Sequence, residues 1–381
     1  MSLSTDQIVD ALRPIEDPEL RRSIVDLGMV RDVRLSPDGD VAVQVALTVA
    51  GCPLRAEIEQ RVTRAVRPLP GVRDVELAFT VMTDDEREAL RQRLHGDPHA
   101  TAGSAPAHGH AQGREIPFAQ PGSKTRPLLV ASGKGGVGKS SVTTNVAVAL
   151  AQQGHSVGVL DADVYGFSIP RMLGADRDPV VIDGMLLPPE SYGVRCISMA
   201  YFVPEGQAVI WRGPMLHKAL EQFLTDVWWD EPDFLLVDMP PGTGDIAISL
   251  SQYLPRAEVY VVTTPQPAAQ KVARLSAAMA EKVHLPVRGV IENMSWFIGD
   301  DGKRYEIFGA GGGQELADEL DVPLLGRIPL LPPLREGGDT GRPVTAVDPD
   351  SEAAGAFRAI AERIAVELKP KKVFNPQLKI V

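Results

Sequence analysis

Gly133-Lys134-Gly135-Gly136-Val137-Gly138-Lys139-Ser140 decides how the rest of the chain is read. It follows the apolar run Leu128–Ala131 and opens a segment of helical composition. A strand, a glycine loop and a helix in that order form a phosphate-binding loop, or P-loop. The glycines let successive backbone N–H groups turn toward phosphate oxygens, and the helix N-terminus adds the positive end of its dipole. Lys139 is placed to reach β- and γ-phosphates, and the Ser140 hydroxyl to ligate Mg²⁺. The expected nucleotide contacts are Gly133, Gly135, Gly136, Val137, Gly138, Lys139, Ser140 and Ser141. ATP with Mg²⁺ is the expected ligand.

Outward from this loop, apolar runs alternate with helix candidates. The runs are Val157–Asp161, Phe234–Asp238, Val259–Thr264, Val287–Glu292 and Leu324–Pro329; the helix candidates lie near 139–152, 214–229, 245–254, 267–283 and 312–319. Continuously apolar strands separated by helices predict a parallel sheet covered on both faces, with ligands at the carboxyl ends of its strands. Acids stand at those ends. Asp161 and Asp163 close the second run, where one carboxylate can orient a water and the other can hold a metal shell. Asp238 tips the apolar run Phe234–Val237, the pattern of a Walker B strand, and would accept from a Mg²⁺-bound water. Met239-Pro240-Pro241-Gly242-Thr243-Gly244-Asp245 follows as a loop able to sense a γ-phosphate; Asp245 suits that switch role and a helix N-cap equally. Asn293 has the donor–acceptor pair that reads an adenine edge, and an Asn also closes turns.

The chain has 381 residues, so more than one domain is expected. Residues 1–94 read as a small α/β unit in the order α-β-β-α-β. Val41, Val43, Val45, Leu47 and Val49 alternate as a strand with one buried face, and Asp38–Asp40 form a hairpin turn before it. Residues 95–126 have linker composition and carry His95, His99, His108 and His110, which read as a metal tract or as an ordinary polar linker. Residues 127–369 hold the nucleotide domain, and 370–381 a tail. The fold class is therefore α/β: a parallel, doubly wound P-loop NTPase sheet with a small N-terminal α/β domain. The net charge of −11 argues against bulk nucleic-acid binding. The N-terminus lacks the apolar core of a signal peptide and no run reaches transmembrane length, so a cytoplasmic protein without stable membrane insertion is expected. The apolar face of the segment Ala353–Leu368 fits packing on the sheet better than a membrane-binding helix.

The additional lysine, Lys134, gives the loop the form KGGVGKS, which resembles the dimeric ATPases that include MinD, ParA and the nitrogenase iron protein. That resemblance implies a homodimer in which Lys134 reaches the partner's phosphates, Asp163 positions water, and Lys139 and Asp238 complete the catalytic set. Narrower strings, DADVYGFSIPRMLG (161–174), WRGPML (211–216), VDMPPGTGD (237–245), ENMSWF (292–297) and EIFGAGGG (306–313), resemble the Mrp/ApbC iron–sulfur carrier ATPases over residues 125–368. Asp17–Leu20, Val25–Gly28 and Gly51–Pro53 resemble the small domain of SufT-type assembly factors. The resemblance implies binding and transfer of a [4Fe–4S] cluster to apo iron–sulfur proteins, in company with assembly factors. A nucleotide-switched adaptor without a cluster is the alternative. The family's Cys-x-x-Cys is replaced here by Trp296-Phe297-Ile298-Gly299-Asp300-Asp301-Gly302-Lys303-Arg304-Tyr305, with Asp300–Gly302 a simple turn. Only Cys52 and Cys196 remain. Cys52, at a strand–helix junction, is a candidate cluster ligand or a packed thiol; Cys196 reads as core.

Overall fold

The computed structural model describes residues 3–18, 20–48, 55–95, 115–120, 122–164, 166–203, 213–242 and 245–368. They fall into two compact units: the first comprises the described residues up to 95 with 180–187, the second the rest.

The first unit opens with α1 (Thr5–Leu12), where Ser4 and Gln7 form a capping box and Ile8 and Leu12 are buried. The strands β1 (Val30–Leu35) and β2 (Asp40–Leu47) form the expected hairpin, antiparallel with Val33 opposite Val43. Gly39 turns it with φ of 89°. Helix α2 (Arg55–Val66) buries Ile58, Val62 and Val66 at four-residue spacing and leads to β3 (Asp74–Val81), parallel to β2. Val41, Val43, Val45 and Leu47 are buried as expected, but Ala46 is buried too, so the alternation is lost at the end of β2; Val49 lies outside the described residues. The order α-β-β-α-β is incomplete, however. A further helix, α3 (Asp84–His95), follows β3. Its apolar content is low, with Leu90 and Leu94 buried among its described side chains. Its start is written in Thr83 and Glu86, whose side chains bond one another's backbone end as a capping box does.

In the second unit β4 (Arg126–Ser132) leads through the P-loop into α4 (Lys139–Gln152). There follow β5 (Val157–Asp161), α5 (Ile169–Leu173), the hairpin β6 (Val180–Ile182) and β7 (Met185–Leu187), β8 (Glu190–Ser191) and β9 (Val194–Ser198). The sequence reading assigned 127–369 to one domain, but the β6–β7 hairpin groups with the first unit, where Arg91 donates to the Asp183 backbone and carboxylate. Next come α6 (Gly213–Thr225), β10 (Phe234–Asp238), α7 (Asp245–Tyr253), β11 (Glu258–Thr263), α8 (Pro267–Lys282) and β12 (Val287–Glu292). The chain ends in the hairpin β13 (Phe297–Ile298) and β14 (Arg304–Tyr305), then α9 (Gly312–Glu319), β15 (Leu324–Arg327), α10 (Pro332–Thr340), α11 (Val344–Val347) and α12 (Glu352–Glu362).

The main sheet runs β15-β12-β11-β4-β10-β5-β9-β8, parallel throughout except for β8 at the edge. Leu128, Val130, Leu236, Tyr260, Val262 and Ile291 join one core cluster with residues of α4 and α12. The intervening Leu129, Leu235, Val237, Val261 and Val290 are equally buried. Strand side chains alternate, so both sheet faces are covered. Helix α12 buries Phe357 and Ile360 in this core, as the packing reading expects. The described end of the linker differs from expectation. Ile116 and Phe118, two large apolar groups, are buried, and the Thr125 hydroxyl donates to Pro232 O at 2.6 Å. Of the linker histidines, His99, His108 and His110 lie outside the described residues, as do residues 369–381. No described helix is long and apolar enough to cross a membrane.

Candidate nucleotide site

The register of β4, β10 and β5 sets Asp238 beside Val130 and Asp161, so the P-loop and two carboxylates emerge together at the sheet's carboxyl edge. Gly136 and Gly138 have φ of 83° and 79°, which side-chain-bearing residues rarely adopt. A Cβ on Gly133 would lie 2.3 Å from the Ala273 backbone nitrogen, so helix α8 passes too close for any other residue. A Cβ on Gly135 or Gly136 would meet nothing within 4 Å; this side of the loop is an open cradle.

Beneath the cradle lies a buried polar cluster. The Lys139 ammonium donates to Asp238 Oδ2 at 2.6 Å and lies 3.6 Å from Asp163 Oδ2. The Ser140 hydroxyl donates to the same Asp238 oxygen at 2.6 Å, while the Thr143 hydroxyl lies 2.6 Å from Asp238 Oδ1. Lys139, Asp163 and Asp238 are all buried. Asp161 stands slightly apart and is engaged at both oxygens. Oδ1 accepts from the Asp163 amide at 3.2 Å; Oδ2 accepts from the Ser198 hydroxyl at 3.1 Å and the amides of Ser168 and Ile169 at 3.3 and 3.4 Å. Burial, and then the neighbouring Asp238 charge, push the Asp161 carboxyl up to about 7, against the opposing pull of Lys139 and these donors. Asp161 thus ties together the two ends of the loop that carries Asp163. Both of its oxygens are engaged by donors of this chain.

The remaining candidates divide. Lys134 is half-buried, its ammonium 3.4 Å from Gln266 Oε1 at the start of α8. The Ser141 hydroxyl points at the Met172 sulfur, 3.9 Å away. Asn293 is buried and donates its side-chain amide to Val137 O at 2.9 Å, so it braces the P-loop from the end of β12. Gly242 N donates to Ser132 O at 3.0 Å, drawing the loop after β10 against the end of β4. Thr243, Gly244 and the Asp245 side chain lie outside the described residues, as does Cys52. Cys196 is in β9 with no exposure, and burial, then the Asp161 charge, push its thiol far up. The segment 296–305 forms the expected turn. The Asp301 carboxylate accepts from the Lys303 amide at 3.1 Å and the Tyr305 hydroxyl at 2.9 Å, and the Arg304 guanidinium stacks 4.5 Å from the Trp296 ring centre. No group of three or more His, Cys, Asp or Glu suited to a metal occurs among the described residues.

Sequence reasoning missed three partners of this site. Thr143 lies four residues after Lys139, hence on the same helix face, and that spacing was a readable signal. Ser198 and Gln266 reach the site through the sheet register and the β11–α8 loop, which one local segment does not reveal.

Residues 124–365 match the profile of the NUBPL iron-transfer P-loop NTPases, and residues 5–78 that of iron–sulfur cluster assembly proteins. The chain is 48% identical over 361 residues to a Mycobacterium bovis protein named iron–sulfur cluster carrier protein, covering 93% of this chain and 91% of that one. A Synechocystis protein of the same name is 42% identical over 370 residues, covering 95% and 97%. Among solved structures, a nucleotide-binding protein from Archaeoglobus fulgidus in complex with ADP is 33% identical with a TM-score of 0.53, covering 61% of this chain and 93% of that one.

Proposed function

The chain belongs to the family of NUBPL iron-transfer P-loop NTPases, and on that premise we propose that it is an ATP-hydrolysing carrier that delivers iron–sulfur clusters to apoproteins. The observation that carries the ATPase half is the buried cluster joining Lys139, Ser140 and Asp238 beneath an open glycine cradle. These hard oxygen donors suit Mg²⁺, which binds through few protein oxygens and the nucleotide's phosphates; Ser140 would hold it and Asp238 its water shell. When bound, Mg²⁺ neutralises charge shared between phosphate oxygens. Lys139 serves the β- and γ-phosphates, and the backbone N–H groups of Gly135 to Ser140 line the cradle. Asp163, fixed by the Asp161 network, orients the attacking water. Lys134, on the outer flank of the loop, serves the partner's phosphates in a homodimer. Asn293, besides bracing Val137, is a base contact through its remaining carbonyl.

The cluster is cargo, and the described nucleotide unit does not fit it as a thiolate site. Its one thiol is Cys196, sealed in β9, and the 296–305 turn carries carboxylates, poor ligands for a soft iron–sulfur centre. Cys52 is the remaining ligand candidate. The same observation favours a second reading, a nucleotide-switched adaptor with no cluster of its own. Anaerobic reconstitution of the full chain with iron and sulfide separates the two. A carrier takes up iron and releases it to an apo-acceptor with ATP; Cys52→Ala then loses uptake and Cys196→Ala keeps it. Wild type that takes up no iron leaves the adaptor. Lys139→Ala should lose ATP binding, and unchanged binding would overturn the ATPase assignment itself.

A further inference from the structure

Asp238 is fully buried, and each of its oxygens is claimed from a different place. Oδ2 accepts from Lys139 and Ser140, at the first turn of α4. Oδ1 faces the hydroxyl of Thr143, one turn further along the same helix, at 2.6 Å. That hydroxyl is also 3.0 Å from Lys139 O, the carbonyl four residues back, but it has one hydrogen to give. The carboxylate is the stronger and nearer acceptor, so the proton goes to Oδ1. A threonine in a helix keeps few χ1 choices, and one directs its hydroxyl toward that carbonyl. Here the same choice aims the hydroxyl at β10.

We propose that Thr143 is a positioning residue for the ATPase reaction: it holds Asp238 at Oδ1 and so fixes the angle at which Oδ2 meets Ser140 and the cation's water shell. This rests on the reading of the cluster as an Mg·ATP site. With both oxygens held, the carboxylate plane cannot turn about its own axis. Without the Thr143 hydroxyl, Oδ1 is a buried acceptor stripped of this donor, and the plane is free to rotate away from Ser140. Lys139 is gripped on the other oxygen and does not depend on Thr143, so nucleotide binding without metal is spared. Partners of metal-site groups typically change metal affinity or activity by 10–100-fold when removed.

The test uses the full chain and a fluorescent ATP analogue, with dissociation constants measured in Mg²⁺ and in EDTA. Wild type gives the tightening due to Mg²⁺. Thr143→Val should lose about tenfold of that tightening with the EDTA value unchanged, and Thr143→Ser should restore it. Full tightening in Thr143→Val overturns the proposal. So does an equal loss in both buffers that Thr143→Ser does not rescue, since that marks a packing role. Thr143→Ala replaces Thr143→Val if the valine variant does not fold, with the same readings. Wild type that binds no nucleotide in either buffer overturns the ATPase reading beneath, which sets that failure apart from failure of the Thr143 role.

Discussion

The P-loop end of the sheet and the β13–β14 hairpin differ in how their polar groups are held. At the P-loop, Lys139, Asp163, Asp238 and Thr143 are all buried and joined by hydrogen bonds and an ion pair across α4, β10 and the loop after β5. At the hairpin, Asp301, Lys303 and Tyr305 bond within one short surface turn, and Arg304 reaches outward to Glu352 and the Trp296 ring. Buried polar groups survive only when satisfied together, so the first arrangement is exacting and every member constrains the others. The second is mostly local and solvated, and it contains no thiol. The lesson is that the P-loop gathers its polar groups into one buried cluster, while the segment where the resemblance places a Cys-x-x-Cys is an ordinary surface turn.

The largest effect that would sharpen this contrast is on Lys134. A cation supplied to the phosphates of a partner contributes about 10³-fold to hydrolysis in comparable systems. Lys134→Ala should cut steady-state ATP turnover by about that factor while ATP affinity stays within a few-fold, as read by phosphate release beside analogue titration. Retained turnover would remove the trans role and leave the contact with Gln266 as all that Lys134 does. Asp163→Asn comes next. Positioned acid–base groups contribute about 10²-fold at the low end, so single-turnover phosphate release should slow by roughly that much with binding preserved. Normal turnover would break the comparison at its stronger side, because the loop tied down by Asp161 would then hold no reacting group.

Much of this was legible in the chain itself, for physical reasons. The P-loop, the apolar strands with acids at their ends and the helices at 139–152 and 312–319 are local patterns, and a parallel sheet repeats them. Helix α3 was missed because, among its described side chains, only Leu90 and Leu94 mark a buried face, although Thr83 and Glu86 announce its start. The partners of Asp161 were not legible. Ser198 and Ser168 come from separate elements, and only the β5–β9 register sets Ser198 beside Asp161. Asn293 shows the same limit from the other side. Its residue type suggested a base contact, and only its place at the end of β12 reveals the further bond from its amide to Val137 O. The grouping of residues 180–187 with the first unit likewise follows from long-range contact that no local pattern encodes.

The smallest expected effect lies at the hairpin. The Lys303 amide first, then the Tyr305 hydroxyl, hold the Asp301 carboxyl below the usual carboxylate range. A lowered folded-state value means the charged form is favoured by folding. The small stabilisation it brings is therefore present at neutral pH and fades as pH falls through that lowered value. Asp301→Ala should lower the melting temperature by no more than about 2 °C at pH 7 and leave it matched to wild type in strong acid. Its iron uptake on anaerobic reconstitution and its ATP turnover should equal those of the wild type. A loss of iron in Asp301→Ala would return cargo handling to the hairpin by a route other than thiolates. The two regions would then be parts of one site, and the contrast between them would fail.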